Sequence, residues 1–391
     1  MGSCKLSINK VTLICLGIVA IPLFDCKGFM MLEPRLLIAT AFALALSLWA
    51  IYDGSLKPFK NKWAMFFIGY MLVSAFIMPK ASVNLWGLET GNFWIWKPMF
   101  RILSFFLMMV AVSSIKLTPK DISRIFNFAI VAGVLMSLYI FFQYFTIDQR
   151  YVASGAVHEK WRIGGTLGHS TFAAAYLTMI IPLALYCKKY WKAAIIVIGV
   201  LVCQSAVATA CMVISLLFYV MSRSKMMMEI FLYIMIAGAI FLTLDVVANG
   251  TNGVMGTGSG RLEDWPRIVQ EINSPMDPNL VRKYPFTGRG MGSFYYTYGL
   301  ITGSSMRQAH NEYMELTYNT GIFGIIIFLM AIWYMVRTNF KVGDRYRMAL
   351  LSSFMAIALC AAGTFIWQMG TQAYMTILIC GLLHNKTGGI K

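Results

Sequence analysis

The sequence predicts an all-α, polytopic integral membrane protein, and three observations carry that expectation. Of the 391 residues, 59% are hydrophobic and only 13% charged. Mean hydropathy is +0.68. Apolar stretches of membrane-spanning length also recur along most of the chain. A soluble domain carries charge on about a quarter of its residues, so soluble two-domain enzymes are excluded. Disorder is excluded as well, because it requires low hydrophobicity.

The apolar runs number about twelve, counting short helices buried in a bundle. In order they lie near 11–24, 35–52, 63–79, 99–115, 124–147, 170–187, 192–204, 206–222, 227–247, 319–336, 348–362 and 368–384. The first follows Lys5 and Lys10 like a signal peptide, but no small-residue cleavage site follows Phe24, so a retained helix is expected. An even number of spans places both termini on one side.

Charge orders the connections. Alternate ones hold Lys57, Lys60 and Lys62; Lys116, Lys120 and Arg124; Lys188, Lys189 and Lys192; Arg223 and Lys225; then Arg337, Lys341, Arg345 and Arg347. With Lys5, Lys10, Lys386 and Lys391 at the termini, this side collects 19 of the 33 basic residues. It collects four of the 16 acidic ones (Asp53, Asp121, Glu229, Asp344) and so carries +15 of the net +17. Positive residues gather on the cytoplasmic side of membrane proteins. The formal charge therefore encodes orientation, with both termini cytoplasmic, and no nucleic-acid partner is expected.

Eight cysteines at 4, 15, 26, 187, 203, 211, 360 and 380 fall in or beside apolar runs without a CxxC pair. They are expected as small core residues. Two outer connections are long. Residues 148–169 form the smaller and 248–320 the larger, within a single membrane domain spanning 1–391. The larger begins Gly-rich, with glycines at 250, 253, 256, 258 and 260, and continues aromatic and basic. Its Trp265, Ile268, Val269, Ile272, Phe286, Phe294, Tyr295 and Tyr296 favour a packed cap, helical between Trp265 and Ile272.

Three of the four histidines, His158, His169 and His310, fall on that outer side, with His384 at the inner end of the last run. A histidine beside arginines suits a general base near neutral pH; for a lone one, a capping or solvated role is the commoner explanation. Around His310 the loop carries Arg261, Arg267, Arg282, Lys283, Arg289 and Arg307. Guanidinium forks match diphosphate oxygens, although anionic headgroups or a solvated face would use them too. Gly288-Arg289-Gly290-Met291-Gly292 lacks the GxGxxG and GK[ST] patterns of nucleotide loops, so it predicts a tight turn against a ligand or another helix. His310-Asn311-Glu312 has no accompanying cysteine pair and there is no HExxH, so neither metal nor cofactor is expected.

Four segments in order carry a family resemblance: Arg162-Ile-Gly-Gly-Thr-Leu-Gly-His169-Ser-Thr-Phe-Ala; Ser259-Gly-Arg261-Leu-Glu-Asp-Trp265; Pro285-Phe-Thr-Gly288-Arg-Gly290-Met-Gly292-Ser-Phe294; and Ala309-His310-Asn311-Glu-Tyr313 leading to Gly321-Ile-Phe-Gly324. Over roughly 160–340 the chain resembles the O-antigen ligase and polymerase superfamily, membrane-embedded GT-C type glycosyltransferases of lipopolysaccharide and surface polysaccharide biosynthesis. The resemblance implies inverting, metal-independent transfer of a glycan from undecaprenyl diphosphate at the periplasmic face of the bacterial inner membrane. The acceptor would be a hydroxyl of lipid A core or of a growing glycan.

By resemblance, His310 takes the acceptor proton and Arg261 holds the departing diphosphate. Arg289 and Arg307 add to that clamp, Asn311 and Tyr313 orient His310, and Arg162 with His169 line the opposite wall. Trp86, Trp94, Trp96 and Trp161 offer flat faces to sugars or serve as interface anchors. Two positions depart from the family pattern. A Ser-Arg pair is replaced by Gln204-Ser205-Ala206, and His169 stands where asparagine is usual. Other readings are transfer of the glycan to protein or, from another class, a secondary transporter or flippase. Against transport stands the near absence of ionisable residues from the spans.

Overall fold

The computed structural model describes residues 9–24, 32–77, 93–146, 163–249, 261–273, 285–294, 298 and 308–385. Within them the chain forms α1 (Lys10–Leu23), α2 (Leu32–Tyr52), α3 (Lys62–Ile77), α4 (Phe93–Ser114), α5 (Pro119–Thr146), α6 (Ser170–Tyr186), α7 (Tyr190–Val202), α8 (Ala206–Met221), α9 (Lys225–Asn249), α10 (Arg261–Asn273), α11 (Glu312–Asn339), α12 (Arg345–Ala361) and α13 (Gly370–His384). No strand occurs among the described residues. Each apolar run of the sequence coincides with one helix, because a backbone in lipid must satisfy its own hydrogen bonds.

Among the described residues three helices are long and apolar enough to cross a membrane: Pro34–Tyr52 in α2, Pro119–Phe145 in α5, and α11. α1, α6, α7, α8 and parts of α3 and α4 are shorter apolar helices. The chain is thus an all-helical membrane protein. α4 and α5 begin at Phe93 and Pro119 rather than near 99 and 124, and the largest difference is in α11. α11 begins at Glu312 rather than near 319, since Asn311 caps it by accepting from the Tyr313 and Met314 amides, both at 3.1 Å. Its polar first two turns carry no hydropathy signal, so the long connection before it ends at Asn311 and not at Thr320.

α6 and α13 form the centre of the bundle and are buried almost all round. A helix apolar on every face belongs inside, and Ala173-Ala174-Ala175 lets neighbours come close. α6 packs on α7, α8 and α12, and α13 on α4, α2 and α12. Gln372 of α13 donates to the Phe172 carbonyl of α6 at 2.7 Å, joining the two central helices.

The helix ends sort into two groups. At one end Lys10 bonds Asp53 and Ser55, the Lys57 amide donates to Ser114 Oγ at 3.0 Å, and Asn61 donates to the Ala331 carbonyl at 2.9 Å. Asn385 bonds the Val112 and Ile115 carbonyls, and the Gly343 amide reaches the Ser222 carbonyl. These are the basic connections of the sequence, brought together. The motif segments meet at the opposite end.

The Lys10 hydrogen bond, with Ser55 adding, holds the Asp53 carboxyl below its ordinary value of 3.8. A lowered folded-state pKa contributes stability above the unfolded value, which is lost as pH falls through the folded one. Asp53→Asn is therefore expected to lower the midpoint of thermal unfolding slightly at neutral pH and to match the wild type in strong acid. Paired unfolding scans at the two pH values check this.

Candidate functional site

The site is assembled from three separate stretches of chain. The first is the lead-in to α6. Thr166 Oγ1 donates to the Pro22 carbonyl at 2.5 Å, and buried Arg35 at the start of α2 donates to the carbonyls of Thr166 and of Phe24, the latter at 2.9 Å. His169 then caps α6, its Nδ1 accepting from the Thr171 amide at 3.2 Å. With Nδ1 as acceptor, the imidazole is the neutral tautomer and its Nε2–H is a donor.

The second stretch is the turn before α11. His310 adopts a left-handed backbone, φ 51°, shared by Lys188 and Gln204 among non-glycine residues described. Such a conformation costs about 1–2 kcal/mol and persists where surroundings over-determine it. They do so here. The Ala309 amide donates to Glu315 at 3.2 Å, the Ala309 carbonyl accepts from Trp265 Nε1 at 3.2 Å, and Asn311 caps the helix that follows.

The third is the connection between α12 and α13. Its Trp367 and Gln368 amides donate to Glu312 at 2.8 and 3.3 Å, and the Gln368 side chain donates to Glu315 at 2.8 Å. Glu312 and Glu315, each 7% exposed, thus rivet this connection to the His310 turn. Glu315→Ala would strand the Ala309 amide and remove the shorter of the Gln368 side chain's bonds to the two glutamates, at about 1–3 kcal/mol. Glu315→Gln keeps an acceptor and is expected to cost less; thermal unfolding of the purified protein compares them.

Aromatic packing links the two histidines. The His310 ring lies edge-on to Phe365, centroids 5.0 Å apart. Phe365 packs on Phe172 at 5.1 Å, and Phe172 on His169 at 4.7 Å. Ser205 Oγ of the Gln204-Ser205-Ala206 turn donates to Thr171 Oγ1 at 3.3 Å. The two departures from the family pattern, at Ala206 and His169, are therefore neighbours in space.

The aromatic stretch of the long connection packs in part. Ile268, Phe294, Tyr298, Ala309 and Tyr318 form a small core, joined by Trp265, Ile272 and Met314. Val269 and Phe286 are exposed. The Gly288–Gly290 turn approaches a helix. α11 breaks at Gly321 (φ 70°), and the groups freed there are met by the turn. The amides of Arg289 and Gly290 donate to the carbonyls of Tyr318 and Asn319, and those of Ile322 and Phe323 to Pro285 and Phe286.

That turn decides the fate of Arg289. Its guanidinium is buried, lies 4.3 Å over the Tyr318 ring, and bonds the Tyr318 hydroxyl and the Glu271 carbonyl, with the Glu271 carboxylate at 3.5 Å. These contacts tie the end of α10 to α11. Tyr313 is also otherwise engaged. Its hydroxyl donates to the Ala358 carbonyl at 2.9 Å and its ring packs on Trp367, so it anchors α11 to α12.

Arg261 opens α10 four residues before Trp265, whose Nε1 donates to the carbonyl of Ala309, the residue preceding His310. The Arg261 side chain, with those of Trp94 and Trp96, lies outside the described residues, as do Arg162, Arg307, Arg282, Lys283, His158, Trp86, Trp161, Tyr295, Tyr296 and residues 250–260. Sequence reasoning did not single out Glu312, Glu315, Gln368, Phe365 or Arg35. The one available signal was a pair of glutamates three residues apart at the head of an apolar run. Comparison of the chain with protein-family models finds no match, and comparison with curated proteins finds none.

Proposed function

We propose that this protein transfers a glycan from undecaprenyl diphosphate to an acceptor hydroxyl at the outer face of a bacterial inner membrane, as an O-antigen ligase or surface polysaccharide polymerase. The observation that carries the reading is the convergence of three motif segments on His310. Its left-handed turn is pinned by Trp265 from the helix that Arg261 opens, by Glu315, and through Phe365 and Phe172 by the His169 cap. Strain held in place by several independent contacts is a mark of functional sites.

In this reading His310 accepts the proton of the acceptor hydroxyl as the oxygen attacks the anomeric carbon. The bond from that carbon to the diphosphate oxygen breaks with inversion, and Arg261 stabilises the charge on the departing undecaprenyl diphosphate. His169, whose Nδ1 caps α6, stands beside the turn where the arginine of the family's pattern is missing. Arg162 and Arg307 remain candidates for further diphosphate contacts, and Asn311 acts on His310 through the backbone it caps.

The test is purified protein incubated with undecaprenyl-diphosphate-linked glycan in the presence of a chelator. Release of undecaprenyl diphosphate with a longer glycan on the donor supports a polymerase. Turnover that requires lipid A core supports a ligase. Intact donor in both reactions, with folded protein, overturns the reading.

A further inference from the structure

At the end of the bundle opposite His310, the α8–α9 turn meets the α11–α12 turn. Between them lies a recess lined by Tyr219, Ser222, Arg223, Gly343, Arg345 and Met348, with a cavity volume of about 140 Å³. A single water needs roughly 10–15 Å³ by the same measure, so the recess has room for a tetrahedral anion with its ester arms. The crevice between Arg35, Phe172 and Gln372 at the motif end is only about 10 Å³.

The chemistry of the lining is one-sided. Arg223 and Arg345 come from different turns, and both lie within electrostatic reach of Tyr219. No carboxylate lines the recess. The neighbouring acid, Asp344, caps α12 through the Arg347 amide at 3.1 Å and pairs with the Arg347 guanidinium at 3.4 Å. The two turns are held together by the Gly343 amide donating to the Ser222 carbonyl at 3.1 Å, so the arginines flank a braced mouth. Two guanidinium forks facing one cavity suit phosphate oxygens.

The surroundings say what carries that phosphate. Within three residues of the lining arginines and Gly343, the apolar side chains of Val220, Met226 and Phe340 are exposed, 41%, 67% and 40% respectively. An aqueous phosphate has no use for apolar side chains at its rim. A phospholipid does, and basic pockets between membrane helices bind anionic headgroups. We infer that the recess between the α8–α9 and α11–α12 turns is a binding site for the phosphate headgroup of an anionic phospholipid, held by Arg223 and Arg345.

The experiment uses the full chain, delipidated in neutral detergent and titrated with short-chain phosphatidylglycerol, phosphatidylcholine or inorganic phosphate. Binding is read by native mass spectrometry and by the shift in thermal unfolding. Phosphatidylglycerol is expected to bind one per chain and to weaken with salt, with phosphatidylcholine much weaker. R223Q/R345Q is expected to lose about tenfold or more in affinity, while R337Q/K341Q, which removes the same charge from the same end outside the recess, stays within about twofold. R223K/R345K, which keeps the charge and loses the forks, should fall between.

Equal losses in the two neutral variants would reduce the effect to a diffuse positive surface and overturn the site, as would unchanged binding in R223Q/R345Q or equal binding of phosphatidylcholine. Displacement of phosphatidylglycerol by equimolar inorganic phosphate would overturn the lipid assignment in favour of a free anion. If R223Q/R345Q does not fold, the lysine variant decides: wild-type affinity there sinks the proposal.

Discussion

His310→Asn is expected to lower glycan transfer by about 10²–10⁴-fold, the usual contribution of a general base, while the protein still inserts and unfolds near the wild-type temperature. Asparagine is chosen because it tolerates the left-handed backbone that position 310 adopts, φ 51°. His310→Ala adds backbone strain to the loss of the ring, and His310→Gly removes both strain and ring. If the histidine acts chemically, all three lose activity alike. If it only shapes the turn, Asn and Gly retain activity and Ala does not, and the mechanism proposed here fails. Release of undecaprenyl diphosphate measures the first effect and thermal unfolding the second. Loss of the edge-on contact with Phe365, centroids 5.0 Å apart, contributes at most about 1 kcal/mol, so the two readouts separate cleanly.

The largest effect on stability is expected at the paired glycines where the outer turn docks on α11. A Cβ on Gly321 would stand 2.3 Å from the Phe286 carbonyl oxygen and 2.4 Å from the Gly288 nitrogen. A Cβ on Gly288 would stand 2.4 Å from the Asn319 carbonyl oxygen and from the Gly321 nitrogen. These are backbone atoms, and the two carbonyl oxygens already accept from the Phe323 and Gly290 amides, so they cannot swing aside as a side chain would. Both glycines also have positive φ, 75° and 70°, at about 1–2 kcal/mol for any L side chain. With overpacking adding about 1–3 kcal/mol, either glycine to alanine is expected to cost roughly 3 kcal/mol and to undock the turn that carries Arg289. A lower unfolding midpoint and faster proteolysis within 285–294 would show it. An alanine variant as stable and protease-resistant as the wild type would mean that the turn does not pack on Asn319–Gly321 as described.

The glycine run illustrates how far the sequence could be read. Alternate glycines without a nucleotide-loop pattern pointed to a tight turn against a ligand or a helix. The choice between the two rested on the break at Gly321, whose freed amides at Ile322 and Phe323 need the Pro285 and Phe286 carbonyls. Arg289 taught the same lesson. Its residue type suits a diphosphate as well as it suits Tyr318 and Glu271, and composition does not distinguish an arginine that faces a ligand from one that joins two helices. Glu312 and Glu315 were hidden for a related reason: their partners Trp367 and Gln368 lie more than fifty residues further along the chain, where no local spacing connects them.

The sequence by itself determined where the helices are and which connections share an end. Unbroken apolar runs must become helices in lipid, because an unpaired peptide group there costs several kcal/mol, and charge is excluded from their interiors. Those are local rules, and each run obeys them independently of its neighbours. Only the tertiary structure decided which helices are central, that His310 is held in a strained turn, and that Arg289 is spent inside the protein. It likewise decided that Arg223 and Arg345 face one cavity. Each of these depends on close packing between groups far apart in sequence, where a shift of about an ångström exchanges one hydrogen-bond partner for another.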